Sequence, residues 1–142
     1  MTEATLNLLR TSFNLLAPRG EELMERFFDK LFGERPELRP LFPEDLTELR
    51  SHLLASIVLV MENISDPGSL KAPLQQLGAR HEAYGAVGEH YPIFRNTLIA
   101  TMNEMAGAAW TTGHTDAWTA MLNLVGEVML SGYAGEERRL AA

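Results

Sequence analysis

Residues 77–92 read LGARHEAYGAVGEHYP. The stretch closes one helical pattern, passes Gly85 and Gly88, and starts another pattern just ahead of Pro92. Two histidines, His81 and His90, lie inside it, and Tyr91 stands ten positions after the first (91 − 81). His81 follows Leu74, Leu77 and Gly78 on one helical face, so its imidazole is predicted to point where that apolar face points. A buried imidazole needs a polar partner. His90, at the corner, and His114, ahead of a helix with no evident partner, read as solvated surface residues.

Working outward, apolar residues recur at helical spacing along nearly the whole chain. Leu6, Leu9, Phe13 and Leu16 share a face that ends before Pro18, and Leu23, Met24, Phe27, Phe28, Leu31 and Phe32 form a second amphipathic set. Arg35, Pro36 and Pro40 punctuate a short turn holding Leu38, Leu41 and Phe42. A long helix is predicted from about Pro43 to Ile64, with Asp45 or Thr47 near its start. The β-branched run at Ile57, Val58 and Val60 reads as helix because its period continues from Leu46, Leu49 and Leu53. Asp66–Ser69 is a break with Ser69 as a candidate N-cap, and the next helix reaches about Ala83. Further helices are predicted at about 91–105 and 115–132, separated by Thr111, Thr112 and Gly113. The expected architecture is a single all-α domain spanning residues 1–142, with six or seven helices.

The bulk chemistry narrows the function. A formal charge of −7 argues against a nucleic-acid backbone or an anionic membrane surface as partner. There is no cysteine, which excludes disulfides, thiolate-ligated haem, iron–sulfur clusters and a cysteine nucleophile. The longest apolar run, residues 53–61, is far short of the roughly 20 residues needed to span a bilayer. The first residues lack a basic-then-apolar leader, and the expected location is the cytoplasm. No nucleophile elbow, HExxH or comparable zinc spacing occurs. One inward-facing histidine in a helical, phenylalanine-rich domain is left with one chemical use, as axial ligand to haem iron.

At this point the sequence resembles the bacterial single-domain globins, which are similar to the haem domain of flavohaemoglobins. Four features carry the resemblance: RFFDKLFGERPELRPLF at residues 26–42, the stretch at 77–92, the spacing of Tyr91 from His81, and DAW at Asp116–Trp118. The resemblance implies a globin fold around haem b (iron protoporphyrin IX), with His81 as the proximal iron ligand and Phe42 packed on the haem face. It implies further cofactor contacts from Phe28, Leu49, His52, Leu53, Leu77, Arg80, Ala86, Val87, Tyr91 and Phe94. In the flavohaemoglobin pattern a late glutamate joins the tyrosine and the histidine. Counting from Trp118, that place falls on Gly135, beside Glu136.

On the distal side the family usually offers a tyrosine and a glutamine to the ligand, and the matching positions here are Phe28 and Leu49, followed inward by Leu53. None of the three carries a hydrogen-bond donor. His52 or Arg50 is expected to serve a haem propionate, with a second reading that places His52 on the iron itself. The resemblance therefore implies reversible binding of a diatomic gas (O2, CO or NO), as in oxygen transport, storage, scavenging or sensing. The alternative is a nitric oxide dioxygenase supplied by a separate reductase, since the residues after Gly135 are too few for a flavin or nicotinamide domain. A third reading, a haem-free globin-like interaction module, would have no use for an inward His81.

Overall fold

Side-chain hydrogen bonds cap the starts of the first and last helices. The computed structural model describes residues 1–134, and among them there are six α-helices and no strand. They are α1 (Glu3–Leu16), α2 (Gly20–Glu34), α3 (Thr47–Glu62), α4 (Lys71–Ala83), α5 (His90–Ala106) and α6 (Thr112–Leu130), with short 3-10 pieces in several connections. Thr2 caps α1, its Oγ1 accepting from the Thr5 N–H at 3.1 Å.

Three starts differ from the sequence expectation. Helix α3 begins at Thr47 rather than Pro43, because the Asp45 carboxylate accepts from both the N–H and the hydroxyl of Thr47 (3.0 and 2.7 Å). Ser69 does not cap α4; it lies in a 3-10 turn, Pro67–Leu70, and its hydroxyl donates to the Asp66 carbonyl at 2.7 Å. Helix α6 begins at Thr112 rather than Thr115. Thr111 and His114 form its capping box, in which the imidazole Nδ1 accepts from the Thr111 N–H at 3.0 Å. His114 is thus inside the helix, half-buried and partnered, with its ring 5.3 Å from that of Trp110.

The apolar faces meet in one core that includes Leu9, Leu16, Met24, Phe27, Leu98, Trp118 and Met121. A buried polar link joins the first and last helices: the Trp118 indole N–H donates to the Ser12 hydroxyl at 2.8 Å, and that hydroxyl donates to the Leu8 carbonyl at 2.7 Å. Among the described residues no buried side-chain N or O atom lacks a partner. No helix among them is long and apolar enough to cross a membrane.

Helices α4 and α6 cross at backbone distance. A Cβ on Gly78 would run into the Met129 carbonyl, and one on Gly132 would run into the Gln75 carbonyl. Both contacts involve main chain, which cannot rotate away as a side chain would. Gly78→Ala is therefore expected to cost about 1–3 kcal/mol. Gly33 in α2 has nothing within 4 Å of its Cβ position, and Gly33→Ala should gain about 0.5–1 kcal/mol. Urea unfolding of the two variants beside the parent protein checks the opposite signs.

Candidate functional site

Two apolar rows lose their cover toward the same end of the molecule. On α3, Ile57 is buried, whereas Leu53 and Leu49, one and two turns earlier, are half-buried. On α4, Leu74 is buried, whereas Leu77 and His81, further along, are half-buried. Helix α3 packs on α1 and α2, while α4 packs on α6 and on the turn before it, so neither row is spent on the other. The ends correspond: the corner after α4 touches the turn before α3, where a Cβ on Gly85 would lie 3.7 Å from Leu41 Cδ2. We read the space between these two half-exposed rows, bounded at one edge by the two turns, as the candidate cleft.

An aromatic cluster adjoins the α3 side. Phe28 is buried on α2, with its ring edge-on to Phe42 at 6.0 Å; Phe32 approaches Phe42 at 5.2 Å and Phe94 approaches Phe27 at 5.1 Å. Phe42 is half-buried, and its loop is held by Arg39, which donates to the carbonyls of Phe42, Pro43 and Glu44 at 3.3, 2.8 and 2.8 Å. The Arg39 guanidinium also lies 5.1 Å from the centre of the Phe32 ring. Sequence reading passed over Arg39, although it lies within the quoted segment, because nothing local indicates three carbonyls converging on it.

On the α4 side His81 is the central group. Its Nδ1–H donates to the Leu77 carbonyl, one turn back in the same helix, at 2.8 Å. A carbonyl can only accept, so Nδ1 carries a proton, and Nε2 makes no hydrogen bond among the described residues. A half-buried imidazole whose Nδ1–H is held by a carbonyl and whose Nε2 has no hydrogen-bond partner among the described residues is, in its neutral form, suited to ligate a metal carried by a flat apolar group. Arg80 and His52 are both exposed, and Ala86 and Val87 are half-buried at the corner.

The corner itself is tightly bonded. Gly85 takes φ +95°, a region that strains any side-chain-bearing residue, and lets the Ala86 N–H turn back to the His81 carbonyl at 2.9 Å. His90 is not simply solvated: it is half-buried, and its Nδ1 accepts from the Val87 N–H at 3.1 Å. Tyr91 lies against α6, where a Cβ on Gly126 would come within 3.3 Å of its ring. The Tyr91 hydroxyl meets that of Tyr133 at 3.0 Å, and the Tyr133 hydroxyl donates to the Ala86 carbonyl at 2.9 Å. Gly135 and Glu136 lie outside the described residues; within them the partner of Tyr91 is Tyr133, which sequence reading did not single out.

Burial and then the bond to Tyr133 hold the Tyr91 phenol well above the ordinary tyrosine value. A group whose pKa rises on folding contributes stability that is complete below its unfolded pKa, about 10, and is lost as pH rises above it. The melting temperature is expected to fall above about pH 10, and Tyr91→Phe should flatten part of that fall. Circular-dichroism melts between pH 8 and 11 provide the comparison.

The comparisons with known proteins agree with this geometry. A family model described as Globin matches residues 25–129. The chain is 30% identical to the flavohemoprotein of Bordetella pertussis over 138 residues, which are 95% of this chain and 33% of that protein. The chain thus spans about a third of the length of the curated relatives it matches. A bacterial globin from Campylobacter jejuni superposes with a TM-score of 0.83 at 20% identity, covering 98% of both chains. A flavohemoglobin from Malassezia yamatoensis, solved with bound FAD and heme, superposes with a TM-score of 0.80 at 18% identity, covering 98% of this chain and 37% of the other. The family match runs from within α2 into α6 and so takes in both walls of the cleft and His81: the chain belongs to the globin family.

Proposed function

We propose that residues 1–142 form a single cytoplasmic globin domain that holds haem b in the cleft between α3 and α4 and binds a diatomic gas reversibly. The observation that carries this reading is the state of His81, whose Nδ1–H is committed to the Leu77 carbonyl and whose Nε2 has no hydrogen-bond partner among the described residues. Haem would supply an iron centre able to take up O2, CO or NO. His81 would hold the iron, and the Leu77 carbonyl fixes the tautomer and direction of its ring. Phe42, steadied by the Arg39-bonded loop, would pack against the haem, with Leu77, Val87 and Phe94 supplying apolar cover. Exposed Arg80 and His52 would pair with the propionates.

On the ligand side Phe28, Leu49 and Leu53 exclude water and donate no hydrogen bond. A donor to a partly charged acceptor contributes about 1.5–3 kcal/mol. Its absence weakens retention of the more polar ligand, dioxygen, by about tenfold to a hundredfold, and that of carbon monoxide by less. Leu49→Gln is expected to slow dioxygen release about tenfold or more while changing carbon monoxide release little. Stopped-flow ligand replacement measures both rates.

The purified protein should show a Soret band that His81→Ala abolishes or displaces. If the protein takes up no haem, the module reading replaces this one. Ferrous, ligand-free spectra of the parent and His52→Ala should both be five-coordinate; a six-coordinate parent spectrum lost in His52→Ala would move His52 from the rim to the iron. A second reading, nitric oxide dioxygenase fed by a separate reductase, is favoured by one observation: the relatives are flavohemoproteins about three times as long. Sustained nitric oxide consumption with an added flavin reductase would establish it.

A further inference from the structure

The Tyr133 hydroxyl sits at the centre of the corner's bonding. The residue is 1% exposed and follows Gly132, whose backbone crosses that of Gln75 just past the end of α6. Its single hydroxyl proton goes to the Ala86 carbonyl, so in the contact between the two phenols Tyr91 is the donor and Tyr133 the acceptor. Ala86 is therefore held on both sides: its N–H by the His81 carbonyl and its C=O by Tyr133. The same arrangement occupies the Tyr91 proton, which leaves the His81 ring bonded to the neutral Leu77 carbonyl.

We propose that Tyr133 is a positioning residue for the iron ligand: through Ala86 it fixes the corner that follows His81, and by accepting from Tyr91 it keeps that phenol off the imidazole. The inference rests on the haem reading above and deepens it. An imidazole whose N–H meets a neutral carbonyl stays a neutral ligand, and one facing a carboxylate gains imidazolate character. A neutral axial ligand suits reversible gas binding better than cleavage of an O–O bond, which benefits from electron release toward the iron. The polar groups behind His81 thus take part in choosing the function, although none of them touches the gas.

The two phenols are not equivalent in this scheme. Tyr91→Phe removes a donor but leaves the Tyr133–Ala86 bond intact, whereas Tyr133→Phe removes the bond to Ala86 and strands the Tyr91 hydroxyl. Amide hydrogen exchange on the protein as purified, read at Ala86, is expected to be about tenfold faster in Tyr133→Phe and little changed in Tyr91→Phe. This arm does not need haem, so it tests the relay even if the haem reading fails. In the haem-loaded ferrous protein, resonance Raman spectroscopy should place the iron–histidine stretch in the neutral-imidazole range for the parent, with a displaced or broadened band in Tyr133→Phe. Ser12→Ala, which removes the indole partner between α1 and α6, controls for general loss of stability and should leave the band in place. Equal band shifts in Ser12→Ala and Tyr133→Phe, or unchanged Ala86 exchange in Tyr133→Phe, would overturn the proposal.

Discussion

The close crossing of α4 and α6 is the constraint on which the site depends. At Gly78 and Gly132 two main chains meet with no side chain between them. Their separation therefore cannot be adjusted by changing a rotamer, as it could between larger residues. That contact sets the height of α4, and with it the positions of Leu77 and His81. Helix α6 uses a further small residue, Gly126, to admit the Tyr91 ring. The glycines of this interface thus act through the space they leave, while Gly85 acts through its backbone angle.

The cleft is chemically one-sided. Behind His81 the groups are polar and paired: an imidazole on a carbonyl, two phenols in series, and a main chain bonded from both directions. Phe28, Leu49 and Leu53, on α2 and α3, are apolar. Polar groups cost least where each finds a partner, and the α4 side satisfies that condition. On the proposed haem reading, such a site would discriminate among ligands mainly by how much they depend on a distal hydrogen bond, and the iron would be tuned from behind, through the histidine.

Several features were legible because they depend on neighbours close in the chain. The run from Leu74 through Leu77 to His81 lies on one face by helical spacing alone, and the structure keeps it there, with His81 bonded four residues back. Phe28 and Phe42 meet in one aromatic cluster, a contact between a helix and the turn after it that spacing alone did not indicate. What escaped reading depends on groups distant in sequence. Tyr133 meets residues more than forty positions away, Tyr91 and Ala86. Counting forward from Trp118 led to Gly135 and Glu136, which lie outside the described residues. Helix α6 ends at Leu130 and the chain turns before Tyr133. His114 looked unpartnered because its role, closing a capping box with Thr111, depends on where α6 starts.

By itself, then, the sequence determined the helical class, the apolar faces, the inward direction of His81 and the lack of a donor at Phe28, Leu49 and Leu53. All of these follow from side-chain type and a period of 3.6 residues. The tertiary structure alone decided that the two apolar rows open into a cleft at one end and that α4 rests on α6 through glycine. It also decided that a tyrosine from the end of the described chain holds the corner beyond the histidine. These last features are contacts between segments far apart in the chain, and no local pattern records which partner will close a hydrogen bond or which backbone will fill a missing side chain.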